Sequence, residues 1–126
     1  MCMNFIEVSG SPEEVQLIAE MHYLAYKEKF EADKIAKDFN EYVAFTISDI
    51  RAHKVVCNDT YSCLIVLQDM TDPLLLNSTY HLVRRIYVKP EFRGQGLAKS
   101  LLAYCQDKYG PLMGYDGKFY MIGDKQ

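Results

Sequence analysis

Between Arg84 and Ala98 an apolar stretch, Ile86, Tyr87 and Val88, runs through Lys89, Pro90, Glu91 and Phe92 into Arg93, Gly94, Gln95, Gly96, Leu97 and Ala98. It reads as a strand joined to a helix by a glycine-rich turn. Two glycines spaced by one residue let the backbone take positive φ and let an anion approach with no Cβ in the way. Where such a turn opens a helix, the first unpaired N–H groups and the positive end of the helix dipole converge, and a phosphate fits there. The chemistry these residues point to is therefore the binding of a phosphorylated ligand, a pyrophosphate above all.

Two other phosphate-binding turns are excluded by the residues after the glycines. A dinucleotide turn needs a third small residue at the end of G-x-G-x-x-G, and Lys99 stands there. A mononucleotide loop needs Gly-Lys-Ser/Thr, but Leu97 and Ala98 come after Gly96.

The pattern Arg93-x-x-Gly96-x-Ala98, preceded by Ile86-x-Val88-x-Pro90-Glu91, resembles the acyl-CoA turn of the GNAT superfamily of N-acetyltransferases. The resemblance covers roughly residues 80 to 109. It implies acetyl-CoA as cosubstrate and acetyl transfer to a primary amine of a small molecule or protein. Arg93, Gly94, Gln95, Gly96, Leu97 and Ala98 would hold the pyrophosphate through main-chain amides, with a charge-assisted contact from the Arg93 side chain. Ile86, Tyr87 and Val88 would line the pantetheine arm, and a backbone N–H near Val88 would face the oxyanion.

Direct attack by an amine requires removal of a proton. A lysine-like ammonium of pKa ~10.4 is about one part in a thousand neutral near pH 7.4, a cost of roughly 4 kcal/mol. Residues 80 to 88 contain no Asp or Glu, so His81 and, at the end of the preceding strand, Asp69 are the candidate bases. Tyr120, with Tyr104 as a second phenol, is the candidate proton donor to the departing thiolate. That thiolate, with a pKa near ~8.5, leaves at a cost of only ~2 kcal/mol even without help.

The elements that must position these residues follow from periodicity. A short strand is expected over Met3 to Val8. Ser11, Pro12 and Glu14 then supply an N-cap, a first-turn proline and a capping-box glutamate. Leu17, Ile18, Met21, Leu24 and Ala25 form one helical stripe; Ile35, Phe39, Tyr42, Val43, Ile47 and Ile50 form a second, ending near His53. Lys54 to Cys57 and Tyr61 to Gln68 read as a hairpin turning at Asn58 and Asp59. A loop bounded by Asp72 and Ser78 precedes the strand from Tyr80 to Val88.

The helix from Gly96 to Tyr109 turns Leu97, Leu101, Leu102 and Cys105 inward and stops at Gly110 and Pro111. Phe119 to Ile122 reads as a last strand. The result is an α/β (α+β) fold, a mixed central sheet flanked by helices in the order β-α-α-β-β-β-α-β. This is the GNAT order up to its central helix, with one strand after it, and lacks the family's last helix and strands. An uncovered sheet edge near the C-terminus leads to an expectation of a homodimer, or of a partner pairing there. Short GNAT-like chains of this kind resemble those of phage and mobile elements.

Composition sets outer bounds. The chain has 126 residues, 49% of them apolar, which suits a single domain over 1–126. A net charge of −3 and no dense basic run argue against a nucleic-acid surface, though Lys27, Lys29, Arg84, Arg85, Lys89 and Arg93 allow local patches. No stretch reaches the ~20 apolar residues of a membrane span, and no leader-like start is visible, so a cytoplasmic location is expected. Cys2, Cys57, Cys63 and Cys105 lack metal-ligand spacing, and no metal site is expected. Two readings stand beside the acetyltransferase: a non-catalytic binding module on the same fold, and a protein whose sheet is completed by a partner.

Overall fold

The computed structural model describes residues 4–31, 35, 38–70 and 80–120. Its elements are β1 (Phe5–Glu7), α1 (Pro12–Lys29), α2 (Phe39–Ala52), β2 (Lys54–Asn58), β3 (Cys63–Asp69) and β4 (His81–Val88), then a 3-10 turn (Pro90–Phe92), α3 (Leu97–Tyr109) and β5 (Leu112–Met113). The strands lie in one sheet in sequential order, antiparallel from β1 to β4, with β5 parallel to β4. The mixed sheet and the β-α-α-β-β-β-α-β order agree with the sequence reading.

Two apolar layers clamp the sheet. On one face Leu97, Leu101 and Cys105 of α3 pack on Val56, Cys63, Ile65, Leu67, Val83 and Leu112. On the other, Ile18 and Met21 of α1 meet Val55, Cys57, Leu64, Val66 and Tyr87. Strands β2 and β3 are buried on both faces, which is why they read as nearly continuous apolar runs. Cys57, Cys63 and Cys105 are free and buried, and burial pushes their thiols up to about 12, 11 and 12.

The helices sit slightly rotated from their expected stripes. In α1 the buried residues are Glu14, Val15, Ile18, Ala19, Met21 and His22, while Leu17 is exposed. In α2 they are Tyr42, Thr46 and Asp49, with Val43, Ile47 and Ile50 only partly covered. A polar pair thus occupies the inner face of α2. β5 begins at Leu112, ahead of the stretch expected as the last strand, in which Phe119 makes an isolated bridge to Met113. The reason is local. Gly110 takes φ +94 at the end of α3, and the Pro111 carbonyl accepts from the His81 N–H at 3.0 Å, which sets Leu112 beside β4. Met3, Met121, Ile122 and the loop from Asp72 to Ser78 lie outside the described residues.

The entry to α1 carries the expected cap, with one change of partner. Ser11 Oγ accepts from the Glu14 N–H at 3.3 Å. The Glu14 carboxylate reaches back past Ser11, accepting from the Ser9 N–H at 2.7 Å, the Ser9 hydroxyl at 2.9 Å and the Gly10 N–H at 3.2 Å. Its second oxygen accepts from the Tyr61 hydroxyl at 3.0 Å, tying the helix start to the β2–β3 turn. Burial would raise the Glu14 carboxyl, but these hydrogen bonds outweigh it and hold it below its ordinary value. A folded value below the unfolded one means the contribution is complete above ~4.5 and fades as pH falls through the lowered folded value. Glu14→Ala is therefore expected to cost about 1–3 kcal/mol at pH 7 and much less at pH 3. Urea melts at both pH values check this, and an equal loss at both would contradict it.

Candidate active site

β4 is paired unevenly, and the site follows from that. Along β3 it is paired over its whole length, but β5 touches it only at His81↔Leu112 and Leu82↔Met113. Beyond Leu82 that side of β4 has no strand neighbour among the described residues. The register against β3 also slips: Val66 faces Arg85 and Leu67 faces Val83, so Arg84 is the extra residue of a β-bulge. Next to this edge, beneath the C-terminal half of α1, a cleft of about 660 Å³ opens. His22, Tyr26, Glu28 and Lys29 of α1 form one wall, and Arg84, Arg85, Ile86 and Tyr87 of β4 form the other. Tyr115 and Tyr120 close one end.

The glycine turn lies past the end of β4. Gly94 and Gly96 take φ +80 and +77, and a Cβ on either would meet no atom within 4 Å. Gly96 is the N-cap of α3 with no side-chain cap, and the first helical bond runs from the Ser100 N–H to the Gly96 carbonyl at 2.9 Å. The N–H groups from Gly96 to Lys99 therefore have no intrahelical acceptor. Open space, positive φ and unsatisfied donors coincide, so the residues present fit a phosphate group.

Arg93 is already engaged. Its guanidinium donates to both Glu28 oxygens, at 2.8 and 2.9 Å, and its Nε donates to the Val88 carbonyl at 2.9 Å. Glu28 also accepts from the Tyr87 hydroxyl at 2.9 Å. Burial, with the Glu28 contact second, pushes the Tyr87 phenol up to about 12. This strap joins the end of α1 to the turn, and it takes one lone pair of the Val88 carbonyl in the stretch expected to line the pantetheine arm.

The three catalytic candidates separate. Tyr120 lines the cleft, its N–H donating to the Leu112 carbonyl at 2.8 Å. His81 and Asp69 face each other across β3 and β4 but do not line it. His81 is buried on the α3 side with its ring 5.8 Å from that of Tyr109, and burial, with Lys54 adding to it, lowers its pKa. A base role for either residue therefore has no support in the lining of the cleft: His81 packs against Tyr109 of α3, and Asp69 pairs with it at the same strand end.

Residues that sequence reasoning passes over stand behind the cleft wall at His22 and Arg85. Asp49 of α2 pairs with the Arg85 guanidinium, whose other face lies over the Phe45 ring at 4.5 Å. His22 Nδ1 is 2.8 Å from the Thr46 hydroxyl, and its Nε2 is 3.6 Å from the same Asp49 carboxylate. Tyr42, Thr46 and Asp49 share one helical face, and that spacing of a polar pair behind an aromatic is the available signal. So is Arg84-Arg85 inside an apolar strand.

Burial, then the Arg85 charge, push His22 down to about 4 despite Asp49. An imidazole neutral at pH 7 is a fixed hydrogen-bonding group there. Between ~6.5 and about 4 the unfolded chain binds the extra proton, so this residue's effect lowers stability as pH falls through that window and levels off below it. Ring-nitrogen NMR is expected to place the His22 midpoint near 4; a midpoint above ~6 would overturn the assignment.

No curated protein sequence matches this chain. Solved structures do. A protein from Clostridium difficile 630 described as a possible acetyltransferase is 18% identical, with a TM-score of 0.68 over 90% of this chain and 77% of that one. The ribosomal-protein-alanine N-acetyltransferase of Brucella melitensis biovar Abortus 2308 is 22% identical, with a TM-score of 0.61 over 86% and 72%. AAC(6')-Iy, solved with a bisubstrate analogue of CoA and acetylneamine, is 13% identical, with a TM-score of 0.59 over 85% and 71%. These likenesses establish the fold. A family model, the acetyltransferase (GNAT) domain, matches residues 19–121, and the chain belongs to that family.

Proposed function

We propose that the protein is an acetyl-CoA-dependent N-acetyltransferase acting on a primary amine, the whole of residues 1–126 serving as its acyltransferase domain. The observation that carries the reading is the glycine cradle, with Gly94 and Gly96 at positive φ, open space beside both and free donors at the start of α3. It adjoins a strand edge left open beyond Leu82. CoA bound to a structural neighbour, AAC(6')-Iy, supports the same ligand.

In this reading Gly94, Gln95, Gly96, Leu97 and Ala98 hold the pyrophosphate through main-chain groups. Ile86, Tyr87 and Val88 flank the pantetheine arm, and the Val88 carbonyl, which already accepts from Arg93 Nε, has a second lone pair for it. The thioester supplies an activated acyl group: an N–C bond forms as the C–S bond breaks, the sulfur leaves as thiolate or thiol, and the amine loses one proton. Tyr120, in the cleft, is the proposed proton donor to sulfur. Neither His81 nor Asp69 lines the cleft, and Glu28, which does, is held by Arg93 and Tyr87, so the ammonium proton passes to water.

The non-catalytic reading differs in one respect: acetyl-CoA would bind without thiol release. Calorimetry is expected to show acetyl-CoA binding by the native chain, loss of binding in Gly96→Glu, and a smaller weakening in Gly96→Asn. Asn tolerates positive φ and adds no charge. Circular dichroism controls for folding. Unchanged affinity in Gly96→Glu would reject the cradle, and binding with no thiol release from any amine would favour the binding module.

A further inference from the structure

The cleft carries more positive than negative charge on its walls. Lys29, Arg84 and Arg85 line it, and the one carboxylate on its walls, Glu28, is occupied by Arg93 and Tyr87. Asp49 stands behind Arg85 and fixes it from the α2 side, while Arg84 donates to the neutral Gln68 amide oxygen at 2.8 Å. Among the described residues no carboxylate pairs with Arg84.

Three residues that line the cleft carry a buried polar atom without a hydrogen-bond partner: Nε of Arg84, Nε of Arg85 and Nε2 of His22. Both guanidinium Nε atoms are obligate donors. A buried donor left unpaired costs free energy comparable to a lost hydrogen bond, so neither guanidinium is fully satisfied by its partners within the chain. The bulge is what brings them together. Consecutive strand residues normally face opposite ways, and the extra residue at Arg84 lets both it and Arg85 line the same cleft.

An anion bound there is not a cofactor phosphate. Arg85 lies three residues before Val88, ~10 Å along the strand, and the glycine cradle lies beyond Val88 in the opposite direction. A neutral pantetheine arm would span the interval.

We propose that Arg84 and Arg85 bind a carboxylate of the acceptor, so that the substrate is a primary amine bearing a carboxylate rather than a polycationic amine. This rests on the N-acetyltransferase reading above. A guanidinium pair suits a carboxylate through charge-assisted, paired N–H donors, and the same pair repels a substrate carrying several ammonium groups. The shared chemistry fits a free amino acid or a peptide with an acidic residue at its N-terminus.

The test uses the full chain and matched amines: an amino acid against its amide and its decarboxylated amine, a peptide beginning with Asp against one beginning with Asn, and a polyamine. Thiol release gives kcat and KM, and calorimetry on the protein with CoA present gives acceptor affinity without turnover. The carboxylate-bearing member is expected to exceed its matched partner by about tenfold to a hundredfold in kcat/KM, the range of a charged hydrogen bond. Most of the difference should sit in KM. Arg84→Gln should erase that preference while leaving acetyl-CoA affinity unchanged. Whether free amino acid or peptide prevails separates the two sources.

Equal or better use of the amide, the decarboxylated amine or the polyamine overturns the inference and leaves the acetyltransferase reading intact. If acetyl-CoA binds but no amine turns over, absence of carboxylate-dependent acceptor binding in calorimetry overturns it as well. Failure of acetyl-CoA to bind at all strikes the underlying reading instead.

Discussion

The rest of the molecule depends on β5 pairing with β4 at two residues and no further. A strand paired on both sides has no spare main-chain groups, whereas one abandoned by its neighbour must find other partners for them or face water. Here the departure follows from chain geometry. Gly110 ends α3, the Pro111 carbonyl takes the His81 N–H, and β5 lasts for only Leu112 and Met113 before the chain turns at Gly114 to Gly117. The cleft lies along the abandoned edge, with α1 as its roof. A longer β5 would improve the sheet and remove the opening.

Holding that edge open places ionic groups where the core would otherwise be apolar. Asp49 is buried, and a buried charge is tolerated only when paired and hydrogen-bonded. Arg85 supplies the pairing, Phe45 covers the guanidinium, and His22 stays neutral between Thr46 and Asp49. Replacing such a cluster with aliphatic side chains of equal volume is often neutral or stabilising. Its presence is better explained by what it fixes, a guanidinium held at one position beside the bulge, than by what it adds to the folding free energy.

The parts of this structure legible in the sequence are those set by local rules. The Ser11–Pro12–Glu14 start of α1, the stop at Gly110 and the positive-φ glycines at 94 and 96 are decided within a few residues of each other. The β2–β3 hairpin is legible because both strands are buried on both faces. The features that escape depend on long-range geometry. The direction of His81 is set by the register of β4 against β3, and a one-residue slip changes which residues face the cleft. Periodicity assigns the inward face of α2 to Ile47 and Ile50, but Thr46 and Asp49 take it because His22 of α1 meets the first and Arg85, thirty-six residues beyond Asp49, meets the second. Likewise Glu28 meets Arg93 across sixty-five residues, a pairing no helical period reveals.

The two ends of β4 attract negative charge by different means, and the difference bears on specificity. At the turn, donors come from the main chain at Gly94 to Ala98, so the site tolerates changes of side chain and recognises a group common to many ligands. At the bulge, donors come from Arg84 and Arg85, whose positions are fixed by Asp49, Gln68 and the Phe45 ring. Side-chain recognition is easily altered by substitution, and a preorganised guanidinium discriminates by geometry as well as charge. A family with one shared cosubstrate and many acceptors needs this division. A backbone cradle beyond the end of β4 can then coexist with a set of charges ~10 Å back from that end along the strand.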